Sequence, residues 1–167
     1  MKMSSTSRAG CAFAIVLVAI AALLSAPAGG DAAPKADSAV RLTPEQWAKI
    51  VKRMDSSGDT RDLPAKVAVQ LGLTKGTATF AVHELAFERE GYQHGIYRSV
   101  DPKDDRVILA FRTPEKKWTA FLTNTHFKLI SAIVWSAGDE PVAWPASESL
   151  PAFDNELVYW SVLADLF

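Results

Sequence analysis

Three histidines and two neighbouring glutamates are the residues of this chain best suited to acid–base chemistry. His83, His94 and His126 lie in its central part, and Glu84 and Glu88 sit close to His83. A hydrolase built on them would bring His83 or His94 within hydrogen-bonding reach of Glu84 or Glu88. Glu84 and Glu88 are an even number of residues apart, so they also fit the solvated face of a strand, where side chains on one face recur at every second residue.

Other signatures of catalysis or metal binding do not occur in the sequence. It has no Gly-x-Ser-x-Gly, no His-Glu-x-x-His and no glycine-rich phosphate loop. The segment 55–59 has the oxygen-bearing side chains of a calcium loop, but its glycine comes fourth where an EF-hand loop needs it sixth. We therefore expect no catalytic residues, no metal ligands and no cofactor.

The histidines lie within a segment, residues 77–135, whose pattern predicts five successive β-strands. Apolar and polar side chains alternate from Thr79 to Glu88, and turn-forming residues then recur at short intervals. The predicted strands cover residues 79–88, 92–100, 106–112, 118–123 and 127–135. Short turns between successive strands favour an antiparallel meander.

Simple hairpins between these strands predict which residues face one another. His83 then lies opposite Arg98. His94 lies beside Phe87 and Phe111, where a buried, hydrogen-bonded imidazole is the simplest interpretation. The candidates for a polar site on the sheet are therefore His83, Arg98 and His94.

The two faces of the predicted sheet differ in character. The face that carries the histidines, called the first face, is apolar along most of its length and includes Trp118. The second face is polar at one edge and apolar toward the other, where it includes Tyr97, Ile108 and Phe121. Another element or a partner must cover these apolar side chains.

Trp144 lies in a loop with two prolines, where regular strand pairing is hindered. It either folds back as a lid on the second face or serves as a rigid contact for a partner, a role in which tryptophan is favoured. Together with Tyr97, Ile108 and Phe121, it makes up the predicted partner-binding set.

Helices are expected before and after the strands. Thr43, Pro44 and Gln46 supply the N-cap, first position and capping box of a helix with one apolar face. A short second helix is expected from Leu63 to Leu71, and a third from Asp154 to Phe167. The third is apolar nearly all round, so we expect it to be well buried against the sheet.

The segment 65–85 partly matches the pattern of a helix-turn-helix, but its second half alternates as a strand does. A DNA-binding domain also needs a basic surface, whereas this chain has 18 Lys and Arg against 19 Asp and Glu. We therefore expect no nucleic-acid partner.

The start of the chain has the features of a secretory signal peptide. Lys2 and Arg8 precede an uncharged, largely apolar run that ends in Ser-Ala-Pro-Ala at 25–28. This order of basic, apolar and small residues predicts cleavage after Ala28, with an uncleaved membrane anchor as the alternative. Cleavage removes Cys11, the only cysteine, and lowers the basic count from 18 to 16 against 19 acidic residues, for a net charge of −3.

These observations define a domain plan and a fold class. Residues 1–28 are the expected signal peptide, 29–41 a disordered lead-in and 42–167 a single domain. The expected fold is α+β, with a five-stranded antiparallel meander sheet packed by two N-terminal helices and one C-terminal helix. Such a chain needs no disulfide, because one domain of this size can bury a sufficient core.

An export signal in a chain without a recognisable set of catalytic residues favours a small binding protein of the periplasm or the extracellular space. An inhibitor, an immunity-type protein and an envelope accessory factor all fit this description. Its partner would be another protein or an envelope component, and membrane contact would be confined to an uncleaved signal segment. A small exported hydrolase and a structural component of an envelope assembly are the alternatives.

Export can be tested on the mature N-terminus. Protein recovered from the envelope or the medium should begin at Gly29, because signal peptidase recognises the small residues just before it. Intact-mass measurement or N-terminal sequencing checks this result. Cytosolic protein that still starts at Met1 would contradict it.

Overall fold

A computed structural model describes residues 41–144 and 146–167, which form three helices and a seven-stranded sheet. In chain order the elements are α1 (Pro44–Ser57), β1 (Thr60–Leu63), α2 (Ala65–Gln70), β2 (Phe80–Arg89), β3 (Tyr92–Ser99), β4 (Arg106–Arg112), β5 (Lys117–Asn124), β6 (Leu129–Ser136), β7 (Val142–Ala143) and α3 (Ala146–Leu166). Every strand is antiparallel to its sequence neighbours. The α+β class and the meander are therefore confirmed. The expected signal peptide and nearly all of the expected lead-in lie outside the described residues.

The sheet has seven strands where the sequence predicts five, because a short strand is added at each edge. The strand β1 has four residues, three of them exposed, and ends at Leu63, where the second helix is expected to begin. The strand β7 has two residues and lies in the proline-containing loop. Neither is long enough to show the alternation by which strands are recognised in a sequence.

The first helix starts where its capping signal predicts, whereas the starts of the other two helices differ from the predicted ones. The Thr43 hydroxyl accepts a hydrogen bond from the Gln46 N–H at 3.2 Å, and the Gln46 side chain accepts one from the Thr43 N–H at 3.0 Å. This capping box is as predicted. The second helix, α2, begins at Ala65 rather than Leu63, and α3 begins at Ala146 rather than Asp154.

The helices α1 and α3 cover the first face of the sheet. Their buried side chains pack on a continuous apolar surface formed by β2 to β6. The core members with the least exposure are Ile50, Met54, Ile96, Val107, Leu109, Phe121, Leu157, Trp160 and Ala164. The helix α3 packs on the sheet as expected but is less well buried than expected, since Val158, Val162 and Leu166 on its outer side are 41%, 57% and 77% exposed. No helix in the described ranges is both long and apolar enough to cross a membrane.

The second face is covered by α2 and the residues that follow it. Val67, Ala68, Leu71 and Leu73 bury themselves there against the sheet. Because α2 has only six residues, it extends about 9 Å at 1.5 Å per residue. The cover is therefore short compared with the sheet beneath it.

The register of β5 differs from the predicted one by one residue. The turn after β4 is a three-residue turn in which Lys116 takes the left-handed conformation, with φ of 63°. This extra residue pairs Arg112 with Trp118, which moves Trp118 to the second face and Phe121 to the first. The predicted faces of Trp118 and Phe121 are therefore wrong, and the turn geometry is the reason.

The turn between β3 and β4 is held by Asp104. Its carboxylate accepts hydrogen bonds from the Arg106 backbone N–H at 3.0 Å and from the Arg106 guanidinium at 2.8 and 2.6 Å. The guanidinium also lies 5.1 Å from the centre of the Phe80 ring. Hydrogen bonding to the Arg106 side chain holds the pKa of Asp104 below its ordinary value, although partial burial acts in the opposite direction.

Asp104→Asn should lower the free energy of unfolding by about 1 kcal/mol at neutral pH, since it keeps one acceptor but loses the charge. The folded-state pKa lies below the unfolded value of 3.8, so the stabilisation is complete above that value and is lost as pH falls through the folded pKa. Urea unfolding of both proteins across this range measures the difference. A difference that stays constant into strong acid would argue against the carboxylate as its source.

Candidate functional site

A groove crosses the second face of the sheet because small residues line up in neighbouring strands. Gly95, Ala110 and Ala120 are successive cross-strand partners in β3, β4 and β5. Larger side chains stand in the rows on either side. These flanking rows are four residues apart along each strand, or about 13 Å at the usual rise.

One wall of the groove is a pair of tryptophans. Trp118 and Trp135 are cross-strand partners in β5 and β6, and their rings stack with centroids 5.9 Å apart at 7°. The Arg112 guanidinium lies 5.6 Å from the centre of the Trp118 ring. Aromatic stacking and the cation–π contact both restrain the two indoles that line the groove.

The other wall is formed by Tyr97 and Ile108. The Tyr97 ring lies directly over Gly95, where a Cβ atom would collide with its hydroxyl end. Burial raises the pKa of Tyr97, and the facing Glu84 carboxylate raises it further, so the hydroxyl stays protonated. Arg61 on β1 donates a hydrogen bond to the same carboxylate at 2.9 Å.

The start of α2 closes the groove from above and turns part of it into a pocket. Leu63, Pro64 and Val67 form this roof, over a floor of Ala110 and Ala120. The pocket has a volume of about 210 Å³ and a mainly apolar lining. It exists because the roof is short and the floor side chains are small.

The structure brings together only part of the predicted partner-binding set. Tyr97 and Ile108 line the pocket as walls. Phe121 does not contribute, because it is fully buried on the first face, with its ring 5.5 Å from that of Phe153. Trp118 and Trp135 were missed, since a tryptophan inside a predicted strand is most simply assigned to the core. The occurrence of two tryptophans in adjacent predicted strands was the sequence signal that could have indicated them.

Trp144 lies on the first face rather than the second. Its backbone N–H donates to the Ala132 carbonyl at 2.9 Å, which extends the pairing of β7. The half-buried side chain packs against the first-face core, and the Lys117 ammonium lies 5.8 Å from its ring centre. This position favours the lid interpretation, on the opposite side of the sheet from the one expected.

His83 and Arg98 are cross-strand partners, as the predicted register has them. Arg98 forms an ion pair with Asp55 of α1 and thereby joins that helix to the sheet. The row that contains Ile96 separates His83 and Arg98 from His94 along the strands. The three predicted polar residues therefore do not form one site.

His94 binds a partner that the sequence did not suggest. Its Nδ1 lies 2.9 and 3.2 Å from the two carboxylate oxygens of Glu156, a residue of α3 that is 4% exposed. Burial raises the pKa of Glu156, and hydrogen bonding to His94 opposes that rise. The imidazole also stacks on Tyr159 at 3.9 Å between ring centres. These contacts describe an imidazole that joins α3 to β3.

The glutamates that would serve a hydrolase lie on the other face from the histidines. Glu84 and Glu88 share the second face with Tyr97, whereas His83 and His94 share the first with Ile96. The sheet itself separates each predicted acid–base pair. Within residues 41–144 and 146–167, no group of three or more potential ligands is placed to hold a metal ion.

No family model, no curated protein and no solved structure matches this chain. Any ligand of this pocket therefore has to be inferred from the pocket lining. It combines an apolar interior, two stacked indoles and a polar rim, which is the usual composition of a ligand-binding site.

Trp144→Ala should lower the free energy of unfolding by about 2 kcal/mol, because it removes a half-buried side chain from the first-face core. The pocket lies across the sheet, so its affinity for a ligand should not change. Thermal melting and a ligand titration on the same samples check both statements. Unchanged melting with loss of partner capture would instead identify Trp144 as a contact residue.

Proposed function

We propose that this chain is an exported binding protein that holds a flat apolar group of its partner in the pocket between α2 and the second face. The partner is another protein or an envelope component. The observation that carries this proposal is the stacked Trp118–Trp135 wall facing Tyr97 and Ile108 across a floor of alanine.

The size of the pocket supports an occupant of one or two rings. An apolar cavity of about 150 Å³ in another protein is large enough to bind benzene. The pocket volume of about 210 Å³ exceeds that value modestly. A flat ring beside an indole also binds more favourably than its buried apolar area alone would give, since offset stacking adds roughly 0.5–1.5 kcal/mol.

The polar groups around the pocket favour binding over catalysis. Tyr97 remains protonated, and Glu84 already accepts from Arg61. A general base would need a free acceptor atom within reach of the substrate and a pKa near the pH at which the enzyme works. His94, whose Nδ1 is held by Glu156, lies on the far side of the sheet.

Export is the second part of the proposal and is supported by the amino-acid sequence. The basic start, the apolar run and the small residues before Gly29 fit a cleaved signal peptide. A chain that loses its only cysteine on cleavage suits an oxidising compartment, because its stability does not depend on thiol chemistry.

Trp118→Ala should weaken binding of a neutral ring probe about tenfold, because it removes half of the aromatic wall. The probe is 3-phenylpropanamide, and isothermal titration calorimetry measures its affinity. The same substitution should reduce partner capture from envelope extract, and excess probe should compete with that capture.

Trp144→Ala is the matched control, since it removes a half-buried tryptophan from the opposite face of the same sheet. It should leave the affinity for the probe unchanged. The proposal is overturned if the wild-type protein does not bind the probe, or if both substitutions weaken binding equally.

A further inference from the structure

If the pocket is the binding site as proposed above, its lining also indicates the chemical class of the ligand. We propose that the occupant is an aromatic ring that carries a carboxylate close by. The ring lies against the Trp118–Trp135 wall, and the carboxylate lies at the rim on the guanidinium of Arg61.

The charge of the lining is the first argument. Among the residues of 41–144 and 146–167 that line the pocket, Arg61 alone carries a formal charge, because Tyr97 stays neutral. A bound anion therefore meets an attractive group, and a bound cation meets a repulsive one. Glu84, the cross-strand partner of Tyr97, is already paired with Arg61.

The hydrogen-bonding capacity of Arg61 is the second argument. A guanidinium has five N–H donors, and the described contacts of Arg61 use one of them, from NH1 to Glu84. The remaining donors can take a second carboxylate in the paired geometry that arginine favours. A ligand carboxylate can thus be bound without breaking the existing pair.

The position of Arg61 is the third argument. It lies on the edge strand β1, and its side chain is 46% exposed. A carboxylate bound there keeps contact with water, so it avoids most of the desolvation cost that a buried charge would meet. The apolar interior excludes water from the ring, which orients the ligand with its ring inward and its charge outward.

Two sources present this chemistry. One is a free aromatic acid, and the other is a protein chain that ends in an aromatic residue, whose ring and terminal carboxylate are a few bonds apart. Both make the same contacts with the wall and with Arg61. We take the chain terminus as the source, because in the proposed function the ring belongs to a partner; a free acid is the outcome that would overturn this choice.

The test uses three probes with the same ring: 3-phenylpropionate, 3-phenylpropanamide and 3-phenylpropylamine. They carry a negative, a neutral and a positive end group. The acid should bind about three- to tenfold more tightly than the amide, as expected for one exposed ion pair, and the amine should bind most weakly. Raised salt should reduce the advantage of the acid.

Arg61→Met should remove the difference between acid and amide while leaving the affinity for the amide nearly unchanged, since the apolar stem is kept. Arg89→Met is the matched control, because Arg89 is an exposed arginine of β2 outside the pocket lining. It should leave all three affinities unchanged. Melting curves of both variants confirm that they are folded.

The outcomes separate this inference from the proposed function. Equal binding of acid and amide by the wild-type protein, or equal loss of both in Arg61→Met, would overturn the inference but leave the pocket as an apolar site. Failure of all three probes to bind would overturn the proposed function as well. N-acetyl-glycyl-phenylalanine as free acid and as amide then tests the source, because preference for the peptide acid over 3-phenylpropionate identifies a chain terminus and the reverse identifies a free acid.

Discussion

The strand β4 is apolar on both of its sides, and the arrangement of the helices follows from that constraint. Val107 and Leu109 face one way, Ile108 and Ala110 the other, and all four are buried. A strand of this kind must be covered on both faces, since exposed apolar surface is costly in water. The helices α1 and α3 together cover the first face. On the second face the short α2 does so only in part, and the pocket lies where its cover ends.

Polar contacts fix where the two long helices dock. Asp55 of α1 pairs with Arg98, and Glu156 of α3 binds His94, so that both helices are joined to β3. Neither pair adds much net stability: solvent screens the Asp55–Arg98 pair, because Asp55 is more than half exposed, and desolvation offsets much of the attraction in the largely buried His94–Glu156 pair. Removing His94 would nevertheless leave the buried Glu156 carboxylate unsatisfied. We therefore interpret these pairs as specifying the position of each helix on an otherwise uniform apolar face.

The contacts that join the helices to the sheet and the proposed binding pocket lie on opposite faces of the sheet. On the first face, His94 is committed to Glu156 and stacked against Tyr159, and Arg98 is committed to Asp55. On the second face, the pocket has one cation at its rim and a neutral tyrosine in its wall. Stacked indoles and small floor residues form a preformed surface, which limits the ordering cost of binding. For the proposed partner, the described residues of the pocket offer a shaped apolar surface and one positive charge, that of Arg61.

The predicted fold class, the order of the five central strands and the capping box at Thr43 depend on residues close together in the chain. Alternation, turn residues and helix caps act locally, so the sequence by itself determined them. The edge strands β1 and β7 are too short to produce such a pattern.

Which side of the sheet Trp118 and Phe121 occupy depended on one left-handed residue, Lys116, in the turn before them. The pairing of His94 with Glu156 joins residues 62 positions apart, which no local pattern records. The pocket itself needed Gly95, two alanines and a six-residue helix to meet at one place. Only the tertiary structure decided these features, because they arise where distant segments pack against one another.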